Sequence, residues 1–133
     1  MTKFNDDGGC FVCGPKNDRG LHLSFKENKQ QDLVESEVNF PREFQGWGQV
    51  VHGGLISTVL DEVMIKAAVL KGFKCVTAEI NVKFKQPANT GEIFKLTGRV
   101  AAVKRKLIFT EGRLRDRQNN VLASATARLF IVT

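Results

Sequence analysis

The sequence predicts an α+β protein in which an antiparallel sheet wraps around one central helix. Three observations carry this reading. A single stretch, from Gly54 to about Leu70, repeats apolar residues at three and four, with Ile56, Leu60, Val63 and Ala67 on one face. Two strand-like segments precede it and four follow, bounded by turn residues. No repeat or linker interrupts the 133 residues, so residues 1–133 read as a single domain.

Residues 1–20 are rich in Gly, Asp and Asn, and Gly14-Pro15-Lys16-Asn17-Asp18-Arg19-Gly20 reads as consecutive turns. A turn-rich leader therefore precedes a core expected over residues 21–133. Leu21-His22-Leu23-Ser24-Phe25 alternates and is expected as the first strand; a polar turn over Glu27 to Asp32 leads to a second at Leu33 to Phe40. Pro41 to Gln49 surrounds Trp47 with polar residues and glycines and reads as a loop. The helix follows, stopped by Lys71 and Gly72 as a C-terminal cation and glycine. Val76 to Lys85 alternates, so Val76, Ala78, Ile80, Val82 and Phe84 are expected to face one way. Phe94 to Val103, Leu107 to Arg115 and Val121 to Val132 complete the set, with Asp116-Arg117-Gln118-Asn119-Asn120 as a hairpin turn.

Composition narrows the function classes. A hydrophobic content of 42% with 26% charged residues is that of an ordinary globular protein. No apolar run reaches the roughly 18–20 residues of a membrane helix, and Met1 to Asp7 does not read as a signal peptide, so the cytoplasm is the expected location. The net charge of +6 and pI near 9.5 favour anionic partners. Yet Lys83 and Lys85, Lys95 and Arg99, and Arg113, Arg115 and Arg117 fall at even spacings, which on strands describes a solvated sheet face. Tyr is absent and most Phe residues occupy apolar positions, which argues against a base-stacking nucleic-acid surface. Three cysteines, an odd number, argue against a disulfide framework. Cys10-Phe11-Val12-Cys13-Gly14 has the spacing of half a zinc knuckle without its second half; a reduced structural pair and no metal are expected, with a site shared between subunits as the alternative.

The chemistry concentrates at Val51-His52-Gly53-Gly54 and the helix it opens. A helix start leaves backbone N–H donors unpaired, and glycine lets another group approach them. Asp61 stands eight residues after Gly53, among Val59, Leu60, Val63 and Met64, where a carboxylate is costly unless used. Donors for a developing oxyanion, with a carboxylate that attacks or activates water, are what acyl transfer needs. Eight residues on one helix span about 12 Å, so one carbonyl cannot reach both. The pattern thus predicts a two-fold dimer in which Gly53 of one subunit faces Asp61 of the other. Glu62, four residues before Lys66, reads as one half of an exposed helix pair and as a weaker candidate for the catalytic acid. The structural alternative for Asp61 is a hydrogen bond to Ser57 or Thr58. His52 is expected to orient the loop rather than act as a base.

On these residues the chain resembles the acyl-CoA thioesterases of the hotdog fold, in particular the phenylacetate-degradation type of the 4-hydroxybenzoyl-CoA thioesterase superfamily. The likeness is carried by His52-Gly53-Gly54, Leu60-Asp61-Glu62, and Thr77-Ala78-Glu79-Ile80-Asn81-Val82 leading to Pro87, across roughly residues 21–133. Cys10-Phe11-Val12-Cys13-Gly14 with Asn17 and Gly20-Leu21 is similar to a leader found in some members. The resemblance implies a curved sheet around a long helix, assembled as dimers or dimers of dimers. It implies an oxyanion N–H from Gly53 beside the substrate-contacting Gly54, Asp61 as nucleophile or general base, His52 shaping the loop, and Thr77 bonded to the water or the acid. Members often carry Asn six residues before the motif histidine; Gly46 stands there, leaving Gln45 or Gln49 as the polar groups nearby. The expected substrate is an acyl-CoA, with Lys104, Arg105 and Lys106 gripping its phosphates, and no separate cofactor. A non-catalytic acyl-CoA sensor, a nucleic-acid-binding module and a hydroxyacyl dehydratase are the competing readings.

Overall fold

A computed structural model describes residues 4–132. Six strands form one antiparallel sheet: β1 (Lys26–Asn28), β2 (Leu33–Asn39), β3 (Cys75–Phe84), β4 (Ile93–Lys104), β5 (Leu107–Arg115) and β6 (Val121–Ile131), in the order β1-β2-β4-β5-β6-β3. The single α-helix among the described residues, α1 (Gly53–Leu70), lies across the concave face and packs against β2 through β6. This is the hotdog fold. Its core is the helix face formed by Ile56, Val59, Leu60, Val63, Met64, Ala67 and Ala68 against Phe94, Leu96, Ile108, Leu114 and Leu129. Each of the fully buried large side chains, Leu60 and Met64 among them, contributes about 1.5–3 kcal/mol. The helix closes as expected at Lys71: Gly72 takes φ +94, and the Gly72 and Phe73 N–H groups bond back to Val69 and Ala68.

Close approach fixes the helix on the sheet. A Cβ at Gly98 of β4 would stand 2.6 Å from the Val63 carbonyl oxygen, so only glycine fits at the crossing. Register with Gly98 and Gly112 puts Lys95, Arg99, Arg113, Arg115 and Lys83 on the strand face turned away from α1.

Two sequence expectations need correction. Leu21 to Phe25 is not a strand of the sheet. The Leu21 and Leu23 N–H groups bond the Phe11 and Val12 carbonyls of the leader, and pairing with β2 begins only at the polar residues Lys26–Asn28. The alternation is still used, because Leu21, Leu23 and Phe25 pack against the core.

The second correction concerns β3. The register against β6 shifts between Thr77 and Glu79, leaving Ala78 as the extra residue of a bulge. Ile80, Val82 and Phe84 pair with Ala127, Ala125 and Ala123 on the helix side. Before the bulge the inward residues are Cys75 and Thr77, while Val76 pairs with the exposed Phe130 on the outer face. Val76 and Ala78 therefore do not share the face of Ile80.

Candidate active site

His52 is the N-cap of α1. Its Nδ1 accepts the Gly54 N–H at 2.9 Å, which assigns the ring proton to Nε2, and its carbonyl accepts from Leu55 and Ile56. The first helical N–H, that of Gly53, has no acceptor among the described residues. It points from the positive end of the helix dipole. A Cβ added at Gly53 would touch the Phe84 ring at 3.4 Å, so the glycine seats the helix start beneath that half-exposed ring. Gly46 lies against His52, and the His52 N–H bonds the Phe44 carbonyl, so the loop from Phe44 to His52 is closed on itself. Gln45 Oε1 accepts the Gln49 backbone N–H at 3.0 Å, which ties the Gln45 side chain into the loop, and Trp47 stands 86% exposed at the loop tip.

Asp61 lies two turns further along. The Thr77 hydroxyl donates to its Oδ1 at 2.6 Å, across from the helix to β3; Oδ2 has no partner among the described residues. Ser57 and Thr58 bond back to the Gly53 and Gly54 carbonyls instead, which removes them as partners of the acid. The bulge at Ala78 is what turns Thr77 inward to meet Asp61. Cys75, two residues earlier on the same face, has its thiol pushed up by burial and further by the negative charge of Asp61.

Glu62 corrects another expectation. It is not half of an exposed pair with Lys66, because the leader covers it: the Cys10 and Cys13 thiols donate to Oε2 and Oε1 at 3.5 and 3.6 Å. Burial, the Cys10 contact and the Glu62 charge together push the Cys13 thiol up to about 11. Burial opposes the charge on Lys66, yet its contact with Cys13 and the Glu62 charge prevail and raise it. The sequence displayed the two cysteines but not their acid, which lies 49 residues beyond Cys13.

The chain thus unites His52, Gly53 and Gly54 at one helix end and Asp61 with Thr77 about 12 Å away. It does not bring Lys104, Arg105 and Lys106 to either group. That hairpin belongs to the other end of the molecule, where Lys106 accepts from Ile131 and Ile131 pairs with Cys75, just past the C-terminus of α1. A cavity of about 820 Å³ between β1, β2 and the turn after β5 is lined by none of these residues.

Residues 48–123 match the family model described as "Thioesterase superfamily". The chain belongs to the thioesterase superfamily. A Xenopus laevis protein, acyl-coenzyme A thioesterase THEM4, is 28% identical over 80 residues, 60% of this chain and 36% of the relative; the chain spans about a third of that protein's length. A solved thioesterase superfamily protein superposes with a TM-score of 0.83 at 28% identity, over 90% of this chain and 61% of its own. Two more distant structures share the fold. A Streptococcus mutans protein bound to acetyl-CoA has a TM-score of 0.76 at 18% identity (83% of this chain, 88% of that one). The E. coli PaaI protein of the phenylacetic acid degradation operon has the same score at 15% (85% and 81%).

Proposed function

We propose that this chain hydrolyses acyl-CoA thioesters at a site completed by a second copy of itself. The observation that carries the reading is a pair of groups left open among the described residues: a Gly53 N–H without an acceptor at a helix start, and an Asp61 carboxylate held by Thr77 through one oxygen. In this scheme the thioester oxygen accepts from Gly53 N–H of one protomer, where the helix dipole favours the charge that develops. Asp61 of the other protomer either attacks the carbonyl carbon or takes a proton from the attacking water. On either route the tetrahedral intermediate expels the CoA thiolate, which is protonated; attack by water gives the carboxylate directly, whereas attack by Asp61 leaves a mixed anhydride that water then hydrolyses to release the carboxylate and restore Asp61. Thr77 fixes the carboxylate, and His52, by occupying Gly54, leaves Gly53 as the free donor.

Two features favour the two-fold arrangement. The separation of Gly53 and Asp61 along α1 is too long for one carbonyl. The β3 strand lies at the sheet edge and exposes Ile80 and Phe84, the kind of unpaired, partly apolar edge that a second copy covers. Antiparallel helices across that edge would also carry the Lys104-Arg105-Lys106 hairpin of one protomer toward Gly53 of the other, where it would meet the nucleotide phosphates of CoA. Acyl-CoA as the substrate class rests on the name of the THEM4 relative and on the acetyl-CoA held by the S. mutans protein.

The test is thiol release from a panel of acyl-CoAs by the wild type and by Asp61→Asn. Turnover that disappears in the variant, with the fold intact, supports the scheme. Equal rates would exclude Asp61, and CoA-ester binding without any turnover would make the chain a sensor. Reversal of charge at Arg105 and Lys106 is expected to raise KM with little change in kcat; an unchanged KM would dismiss the phosphate contact.

A further inference from the structure

The leader builds a second constellation on another flank of α1. Cys10 and Cys13 sit at either end of a turn closed by the Gly14 N–H on the Cys10 carbonyl at 2.8 Å. The chain crosses itself there so tightly that a Cβ at Gly14 would lie 2.3 Å from the Cys10 nitrogen and 2.5 Å from the Gly8 oxygen. The turn is anchored through Val12, which is buried and whose carbonyl accepts from Leu23. Both sulfurs are therefore held on one side of a rigid turn. Facing them from mid-helix is the Glu62 carboxylate, 3.5 Å from Cys10 Sγ and 3.6 Å from Cys13 Sγ, and one ligand atom from each residue lies within 4.8 Å of the others.

We propose that Cys10, Cys13 and Glu62 form a zinc site that staples the leader to the helix, with water as the fourth ligand. Zinc bonds of about 2.3 Å to sulfur and 2.1 Å to oxygen at the tetrahedral angle set sulfur and oxygen about 3.6 Å apart, the distance each thiol keeps from its own carboxylate oxygen; a single oxygen and the two sulfurs already lie within 4.8 Å of one another, and the ion would draw them together. Two thiolates select a borderline-soft ion over magnesium or calcium. Charge agrees as well: a dication with three anionic donors carries a single negative charge, and the Lys66 ammonium beside Cys13 offsets it. On binding, the two thiol protons pass to solvent and no electron moves. The sequence suggested half a knuckle in need of a second cysteine pair; the missing donor is instead a carboxylate brought by the fold. The site is independent of the thioesterase reading, since none of its ligands belongs to the proposed reaction.

The experiment measures metal on the full chain, purified without a histidine tag or chelator and titrated with Zn²⁺ or Co²⁺. One ion per chain is expected, with an intense thiolate-to-cobalt absorption band. That band should weaken in Cys13→Ser and vanish in Cys10→Ser/Cys13→Ser, while Cys75→Ser leaves it unchanged. Glu62→Gln, which keeps shape and both thiols, should weaken affinity by at least about tenfold, the scale that even outer-shell partners reach. Bound zinc should also protect two of the three cysteines from alkylation, a readout that does not need the serine variants to fold. Binding no tighter than in the double variant, a band lost in Cys75→Ser, an affinity unmoved by Glu62→Gln, or a Cys10–Cys13 disulfide in the freshly purified chain would each overturn the proposal.

Discussion

Asp61 and Glu62 are neighbouring acids on one helix, about 100° apart around its axis, and they meet different chemistry. Asp61 accepts one short bond from a hydroxyl on the edge strand and keeps its second oxygen unengaged. Glu62 has both oxygens occupied by thiols from the leader and a lysine one turn away. A carboxylate held by one oxygen is oriented yet still able to attack or take a proton; one held by both is a ligand or a structural acceptor. Residue type alone does not separate the two. Their donors do.

The largest effect that tests this contrast is on turnover. Asp61→Asn is expected to lose about 10²- to 10⁴-fold in thiol release from acyl-CoA, whereas Glu62→Gln should stay within a few-fold of wild type. The opposite ranking would transfer the reaction to the leader side. Thr77→Val comes next. It keeps the volume and deletes a bond to a charged group of the kind worth about 1.5–3 kcal/mol, so stability in urea denaturation should fall by up to about that amount, and turnover of the folded chain should fall about tenfold or more. An unchanged rate would mean that Asp61 needs no partner on β3.

Both acids depend on where the helix lies, and Gly98 sets that. Gly98→Ala should cost about 1–3 kcal/mol in urea denaturation, because its methyl would meet the Val63 backbone. Gly112→Ala should cost less, since there the methyl meets side-chain atoms, Met64 Cγ at 3.2 Å and Leu60 Cδ2 at 3.4 Å, and stands farther from backbone. Equal costs would remove Gly98 as the contact that fixes the helix. The smallest effect is electrostatic. Burial is the main reason that the Cys75 thiol is raised, and the Asp61 charge adds to it. Removing that charge lowers the thiol part of the way back, so at a fixed pH near 9 more thiolate forms. Alkylation of Cys75, followed by peptide mapping, should be faster in Asp61→Asn and unaltered in Glu62→Gln.

Much of this architecture was legible along the chain because its signals are local. The 3.6-residue period with the Lys71-Gly72 stop marked α1 to within a residue, and Leu107–Arg115 was bounded as the structure has it. The spacing of Gly53 and Asp61 on one helix was likewise a local fact. What could not be read depends on partners remote in sequence. Leu21 to Phe25 alternates like a strand, but its N–H groups were claimed by Phe11 and Val12. Val76 and Ala78 fit the apolar alternation, but the register shift against β6 turned the polar Thr77 inward instead. Glu62 was paired on paper with Lys66 because a helix makes that pairing local, whereas its donors lie 52 and 49 residues away.

The bulge in β3 has a consequence for chain length. All nine register pairs between β3 and β6 form without Ala78, whose side chain is exposed. Removing that one residue would keep Cys75 and Thr77 opposite Ile131 and Leu129, and Ile80 opposite Ala127. Removing Asn81 or Val82 would move the residues on one side of the cut to the other face of the sheet. The strand therefore carries a single residue of slack, placed immediately after the hydroxyl that holds Asp61. Deletion of Ala78 is expected to leave the fold intact, and deletion of Asn81 or Val82 to disrupt it.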